Sequence, residues 1–412
     1  MRLSAFFLVL LQLAALSLFL AGRLPAEDEA QDFFAHKYTC SVRPCGQVGN
    51  TICLASRSWR FRFLFNFVTG AVTRVTSAME VNISRTENHF IRWTDFPGKH
   101  SMLIEVLNQD GAIVGSSGEF VPIEVKNEER DYPYQPHAVE LKNTVVAICH
   151  DEAVVIPLDG KRKVEHLASR HWETAICDNK VLHVGTGVLR TLYDESGAAL
   201  SETPCDFTGK IVKTDSLNAG FFIVMGGDGN NAGFTAISAD GRSLATYPSA
   251  DLVPLDGFLV GNTLWLMCSS PNAPGGGHLA PICFDSVEKK WSLAKGIPVG
   301  SGDIRKLGTS KVLYRIGNTF HSFDPASGKT ETFLVCPGKL PYPWLILDKD
   351  LAPALVVTTD YRNDKEPLTT YYGRNPELLK KVEELAAAEE SKEWARATGS
   401  PADCCLRASG CR

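Results

Sequence analysis

The chain has 412 residues, 44% of them hydrophobic and 22% charged. That composition excludes a disordered or collagen-like chain, and the length allows roughly two to three domains. Forty-two basic residues against 47 acidic ones give a net charge of −5, so no nucleic-acid partner is expected.

Arg2 precedes an uncharged stretch from Leu3 to Leu20. It is longer than a signal-peptide core of about 7–15 residues and close to the roughly 20 of a spanning helix. Phe19 or Leu20 falls at the −3 position of each candidate cleavage site, where a small residue is needed. Residues 1–22 therefore read as a signal peptide or signal anchor, with the uncleaved single-pass anchor favoured over secretion. The positive end stays inside, so the rest of the chain is expected outside the cytoplasm. Contact with the membrane is expected through this segment alone.

Export gives the 12 cysteines a meaning, because thiols pair in oxidising compartments. Cys40, Cys45 and Cys53 lie near the start, and Cys404, Cys405 and Cys411 in the last ten residues. Both trios are disulfide candidates, expected to fasten the ends of the chain. The first trio lacks the C-x-x-C pairing of a metal knuckle, so no metal is expected. Cys149 and Cys177, each closing an Ala-Ile-Cys triplet, are expected to be buried thiols at matching repeat positions. Asn82-Ile83-Ser84 is a candidate glycosylation site.

Residues 23–130 read as a β-rich domain. Phe61, Phe63, Phe65 and Phe67 alternate with Arg62, Leu64 and Asn66, the period of a strand. Its arginines are expected on a solvated face. Further short apolar runs are separated by turns such as Asn108-Gln109-Asp110-Gly111. These features predict a small β-sandwich. Residues 131–136, with two prolines, read as a linker.

Residues 137–373 repeat an apolar hairpin, a strand ending in an aspartate turn, and a polar strand. The turn aspartates are Asp159, Asp194, Asp240, Asp285 and Asp324, with spacings of 35, 46, 45 and 39. Periods of about 40–50 residues built of strands indicate a β-propeller, here of about six blades, or seven where the N-terminal strands supply one, with Asp110-Gly111 as the trace of its turn. The predicted fold class is thus all-β: a propeller of about six blades preceded by a sandwich-like domain and followed by a helix. Asn375, Pro376 and Glu377 start that helix over 374–398, with an apolar stripe of Leu378, Leu379, Val382, Leu385 and Ala386. It is expected to lie against its own propeller. A cysteine-containing tail, 399–412, follows.

The run from Asn318 to Phe333 resembles a blade of the kelch or pyrroloquinoline-quinone-type propellers. Phe222 to Gly227 is similar to the kelch double glycine, and Trp291 follows Asp285 as the kelch Trp would. The resemblance implies a fold. It implies no chemistry, because the quinone enzymes' stacking Trp and calcium carboxylates have no counterparts here.

Asp228 to Gly233 begins like a calcium loop but has Ala232 and Ala239 where ligands are required. It reads as a tight turn. The irregular segment from Ser269 to Leu279 departs from the repeat, and such loops carry specificity. Asp228, Asn230, Asn231, Asn272 and His278 are the candidate binding residues. No catalytic residue is assigned and no cofactor is expected. The expected function is a binding or scaffold module for a protein or glycan partner. The alternative is a hydrolase or lyase with Asp and His residues converging in the central channel.

Overall fold

The computed structural model describes residues 33–76, 81–96, 101–122, 137–149, 152–168, 173–185, 188–194, 201–204, 210–212, 220–226, 233–248, 252–269, 280–298, 301–338, 340–360, 368–373 and 375–398. Among them the strands form eight four-stranded antiparallel sheets. Seven sheets take consecutive strands: blade 1 spans 43–76, blade 2 81–120, blade 3 137–168, blade 4 173–204, blade 5 210–248, blade 6 253–293 and blade 7 302–335. Blade 8 takes three strands from 344–373, and its fourth is Lys37–Cys40.

The strands read as apolar runs because both faces of each sheet are buried. In the second strand of blade 3, Thr144–Cys149, Val145 and Ala147 pack on Ile91, Trp93 and Ile104 of blade 2. Their neighbours Val146 and Ile148 pack on Ile176, Val181 and Tyr193 of blade 4. The same alternation recurs around the ring, so the apolar clusters join blade 1 to 2, 2 to 3 and onward to 8 and back to 1. Each fully buried aliphatic side chain contributes about 1.5–3 kcal/mol. No blade could keep both faces dry by itself, which is why the ring must close.

Closure is made by pairing the two ends of the chain. Lys37 lies opposite Tyr372 and Cys40 opposite Thr369 in an antiparallel ladder. A helix, α1 (Leu379–Thr398), then crosses the joint between blades 8 and 1. Leu379, Val382 and Ala386 are buried there with Ile52, Phe63, Phe65 and Ile346. Leu385 of the expected stripe is exposed instead. The charged side of α1 clamps both blades. Glu383 accepts hydrogen bonds from the Tyr38 hydroxyl at 2.6 Å and the Ser41 amide at 3.2 Å. Glu390 accepts from the Ser58 amide at 2.9 Å, Glu393 pairs with Arg60 at 2.6 Å, and Glu389 pairs with Arg74. A 3-10 turn, Pro376–Leu378, precedes α1, and Asn375 makes no side-chain cap.

Three expectations are corrected. The blades number eight, not about six, and the strands assigned to a sandwich are blades 1 and 2. In their turns asparagine takes the place of the repeat aspartate: Asn66 Oδ1 accepts from the Val68 and Thr69 amides, and Asn108 Oδ1, beside the Asp110-Gly111 that resembles the repeat turn, from Asp110 and Ala112. Asp159, Asp285 and Asp324 make the same contacts in blades 3, 6 and 7. The two Ala-Ile-Cys triplets are not equivalent. Cys149 ends the second strand of blade 3, whereas Cys177 ends the first strand of blade 4 and is buried. Finally, Arg62 does not face solvent. It is 7% exposed, donates to the Trp59 carbonyl and lies 5.3 Å from the Trp59 ring.

Candidate functional site at the ring axis

First strands of neighbouring blades touch one another, so they line the axis. In blade 1 this strand, Arg43–Val48, carries a bulge. Pro44 pairs with Leu54 and Gly46 with Cys53, which leaves Cys45 as the additional residue. A bulge sets two residues against one, so Cys45 and Gly46 both confront Cys53. A Cβ on Gly46 would stand 3.3 Å from Cδ of Arg85, so the missing side chain leaves room for the Arg85 stem. Arg85 ends the first strand of blade 2, Val81–Arg85.

Arg305 approaches Arg85 from blade 7, where Gly302–Leu307 carries a second bulge. Arg305 donates to the Leu345 carbonyl and lies 3.8 Å from Asp303. Burial holds the Arg305 pKa down; Asp303 opposes this, and the like charge of Arg85 adds to it. Burial raises Asp303, against the pull of Arg305 and Arg315. Two guanidiniums, Arg305 and Arg315, thus act on one carboxylate, Arg85 adds a like charge beside Arg305, and Arg85 forms no ion pair with any described residue. Such an excess of cation in a confined channel focuses potential on anions, and planar guanidiniums suit carboxylates and sulfates.

One mouth of the channel is braced by the turns between first and second strands. Lys306 of blade 7 reaches Glu87 of blade 2 at 3.5 Å. Gln47 donates to the Leu347 carbonyl, and Lys349 donates its amide to Asn50 at 2.9 Å. Glu140 of blade 3 accepts from Thr86 at 2.6 Å and from Asn88, and lies 3.2 Å from His89. Burial would raise Glu140, but these partners prevail and hold it at about 2. Glu140 is therefore committed to partners, whereas Asp303 keeps a buried Oδ2 without a hydrogen bond.

Beside the arginines lies a thiol pair. Cys53 is buried and Cys45 exposed, and the two lie opposite each other across the bulge. Contact with Cys53 lowers Cys45, with Arg62 assisting and partial desolvation opposing, and the same contact raises Cys53. The third member, Cys40, is a buried thiol pushed up to about 12, mainly by burial.

The candidate binding residues Asp228, Asn230, Asn231, Asn272 and His278 lie outside the described residues, as do Cys404, Cys405, Cys411 and the Leu3 to Leu20 stretch. Both binding segments connect second to third strands, in adjacent blades 5 and 6, so their flanking strand ends open on one face. Asn82 sits partly buried in the innermost strand of blade 2, which is a poor place for a glycan. Among the described residues no helix is long and apolar enough to cross a membrane, and no three metal-ligating side chains cluster. The axial arginines escaped sequence reading because each stands alone in its strand. The Cys45–Cys53 pairing needed the register of one hairpin.

The geometry defines an eight-bladed β-propeller, closed by its own first strand and strapped by its last helix. No protein-family model and no curated protein matches the chain. Solved structures of similar fold include the uncharacterized protein lmo1340 from Listeria monocytogenes EGD-e, 12% identical, covering 73% of this chain and 96% of that one with a TM-score of 0.42. AztD from Citrobacter koseri is 11% identical, with coverages of 73% and 86% and a TM-score of 0.41. Hsv2 from Kluyveromyces lactis is 9% identical, with coverages of 81% and 97% and a TM-score of 0.40.

Proposed function

We propose that this propeller is a binding module that takes an acidic group of a protein or glycan partner into its central channel. The observation that supports this reading is the approach of Arg85, which pairs with no described carboxylate, to Arg305, whose one nearby carboxylate is Asp303. Two guanidiniums from different blades can donate N–H groups to one oxyanion. The uncharged stretch behind Arg2 supports display of this module outside the cytoplasm, tethered at its N-terminus.

Calorimetric titration of the full chain tests the reading, with a sulfated heparin tetrasaccharide and an octaglutamate peptide as probes. One of them is expected to bind, more weakly as salt rises, and to lose about tenfold in affinity in Arg85→Ala. Failure of both probes, or equal affinity in Arg85→Ala, overturns it.

A further inference from the structure

The pairing of Cys45 with Cys53 is more specific than a shared neighbourhood. Before the bulge the ladder runs Arg43 to Ala55 and Pro44 to Leu54, so its next rung would set Cys45 opposite Cys53. The bulge then inserts Gly46 against the same Cys53 without removing Cys45 from it. The two thiols differ in access. Cys53 belongs to the cluster that joins blades 1 and 2, with Val48, Leu64, Val75, Phe90 and Leu107. Cys45 is exposed in mid-strand on the innermost strand, so the solvent it meets is that of the channel.

The Cys45 thiol donates to the Arg43 carbonyl oxygen at 3.8 Å, with Cys53 opposite it across the bulge. The charged neighbour is Arg62, which a Trp59 carbonyl and ring hold in place. Arg43 lies 5.5 Å from the same Trp59 ring. A cation fixed beside an accessible sulfur, with a second thiol behind it, is the arrangement of a reactive cysteine and its resolving partner.

We propose that Cys45 and Cys53 form a thiol–disulfide exchange site, in which Cys45 attacks a small disulfide entering the channel and Cys53 resolves the product. Cys45 gives its proton to solvent, and its thiolate attacks one sulfur of a disulfide of the glutathione class. A Cys45–glutathione bond forms, the glutathione S–S bond breaks, and one glutathione thiolate leaves. Cys53 then gives its proton to solvent and attacks the Cys45 sulfur. The Cys45–Cys53 bond forms and the second glutathione thiolate leaves. Two protein thiols are oxidised and one glutathione disulfide is reduced to two thiols. Cys40 takes no part, because it is buried and paired to the Val42 carbonyl. The site is independent of what the axial arginines bind.

The test uses the full reduced chain. On treatment with oxidised glutathione, non-reducing peptide mapping is expected to find a Cys45–Cys53 bridge and the loss of two hydrogens. Cys53→Ala is expected to stop at glutathione on Cys45, and Cys45→Ala to leave Cys53 unmodified. Without any substitution, iodoacetamide is expected to label Cys45 at least about tenfold faster than Cys40, Cys177, Cys268, Cys283 or Cys336. Arg62→Met is expected to move the pH profile of that labelling upward. Labelling of Cys45 at the rate of the buried thiols, or a bridge from Cys45 to a cysteine other than Cys53, overturns the proposal.

Discussion

Gly46 and Arg85 come from neighbouring blades, and the arginine stem crosses the glycine where a Cβ would stand 3.3 Å from its Cδ. The position of the channel cation therefore depends on a missing side chain in another sheet. Gly46→Val is expected to displace Arg85 and weaken binding of the anionic probe about as much as Arg85→Ala does. Gly46→Ala is expected to have a smaller effect, because a flexible stem can give a few tenths of an ångström. Titration of both variants, alongside their thermal unfolding, separates lost binding from lost structure.

The helical strap makes a separate prediction. Leu379 is fully buried at the joint between the last and first blades, so Leu379→Ala is expected to cost about 2–5 kcal/mol. Glu383→Ala removes the acceptor of Tyr38 and Ser41 and is expected to cost about 1–2 kcal/mol. Denaturant midpoints of the full chain measure both. A helix that merely touched the ring would leave them unchanged.

Acid sensitivity follows from two groups of opposite type, the partly buried Glu140 and the buried His183. Glu140 titrates at about 2 in place of 4.5, so its contribution is complete above 4.5 and is lost as pH falls toward 2. Burial, with Arg190 adding, lowers His183 to about 4 from 6.5. The unfolded chain then binds a proton that the folded one refuses, and stability falls as pH drops from 6.5 toward 4. Glu140→Gln should flatten the lower window and His183→Gln the upper one. The slope of unfolding free energy against pH in each window is the readout.

Gly296 has φ +94, and a Cβ there would lie 2.4 Å from Phe323 Cε2, in the joint between blades 6 and 7. Gly296→Ala combines strained backbone with a clash against a packed ring. It is expected to destabilise by roughly 1–3 kcal/mol or more, read as a lowered denaturant midpoint.

The repeat was legible wherever an aspartate closed the turn between the third and fourth strands. Asn66 and Asn108 make the same hydrogen bonds with the same Oδ1, so the residue type changed while the chemistry did not. Counting side-chain oxygen rather than aspartate recovers blades 1 and 2. Blade 8 resisted for another reason. Its fourth strand is Lys37–Cys40, a partner no local pattern can reveal. The same holds at the axis, where Arg85 and Arg305 meet only because the ring brings blade 2 and blade 7 to one channel. The alternation of Phe61, Phe63 and Phe65 marked a strand correctly. It could not show that Arg62, on the other face, would lie buried against blade 1's own Trp59.

Closing the ring with residues from both termini has a consequence during synthesis. Tyr38 and Glu383 stand 345 positions apart. At about 5–20 residues per second, roughly 17–70 s pass between their polymerisation. Throughout that interval Lys37–Cys40 has no ladder to join, and blade 1 presents an uncovered apolar face. The nascent chain must be shielded or held extended until its last strands emerge, so the time it takes to be made is also the time it is most open to aggregation.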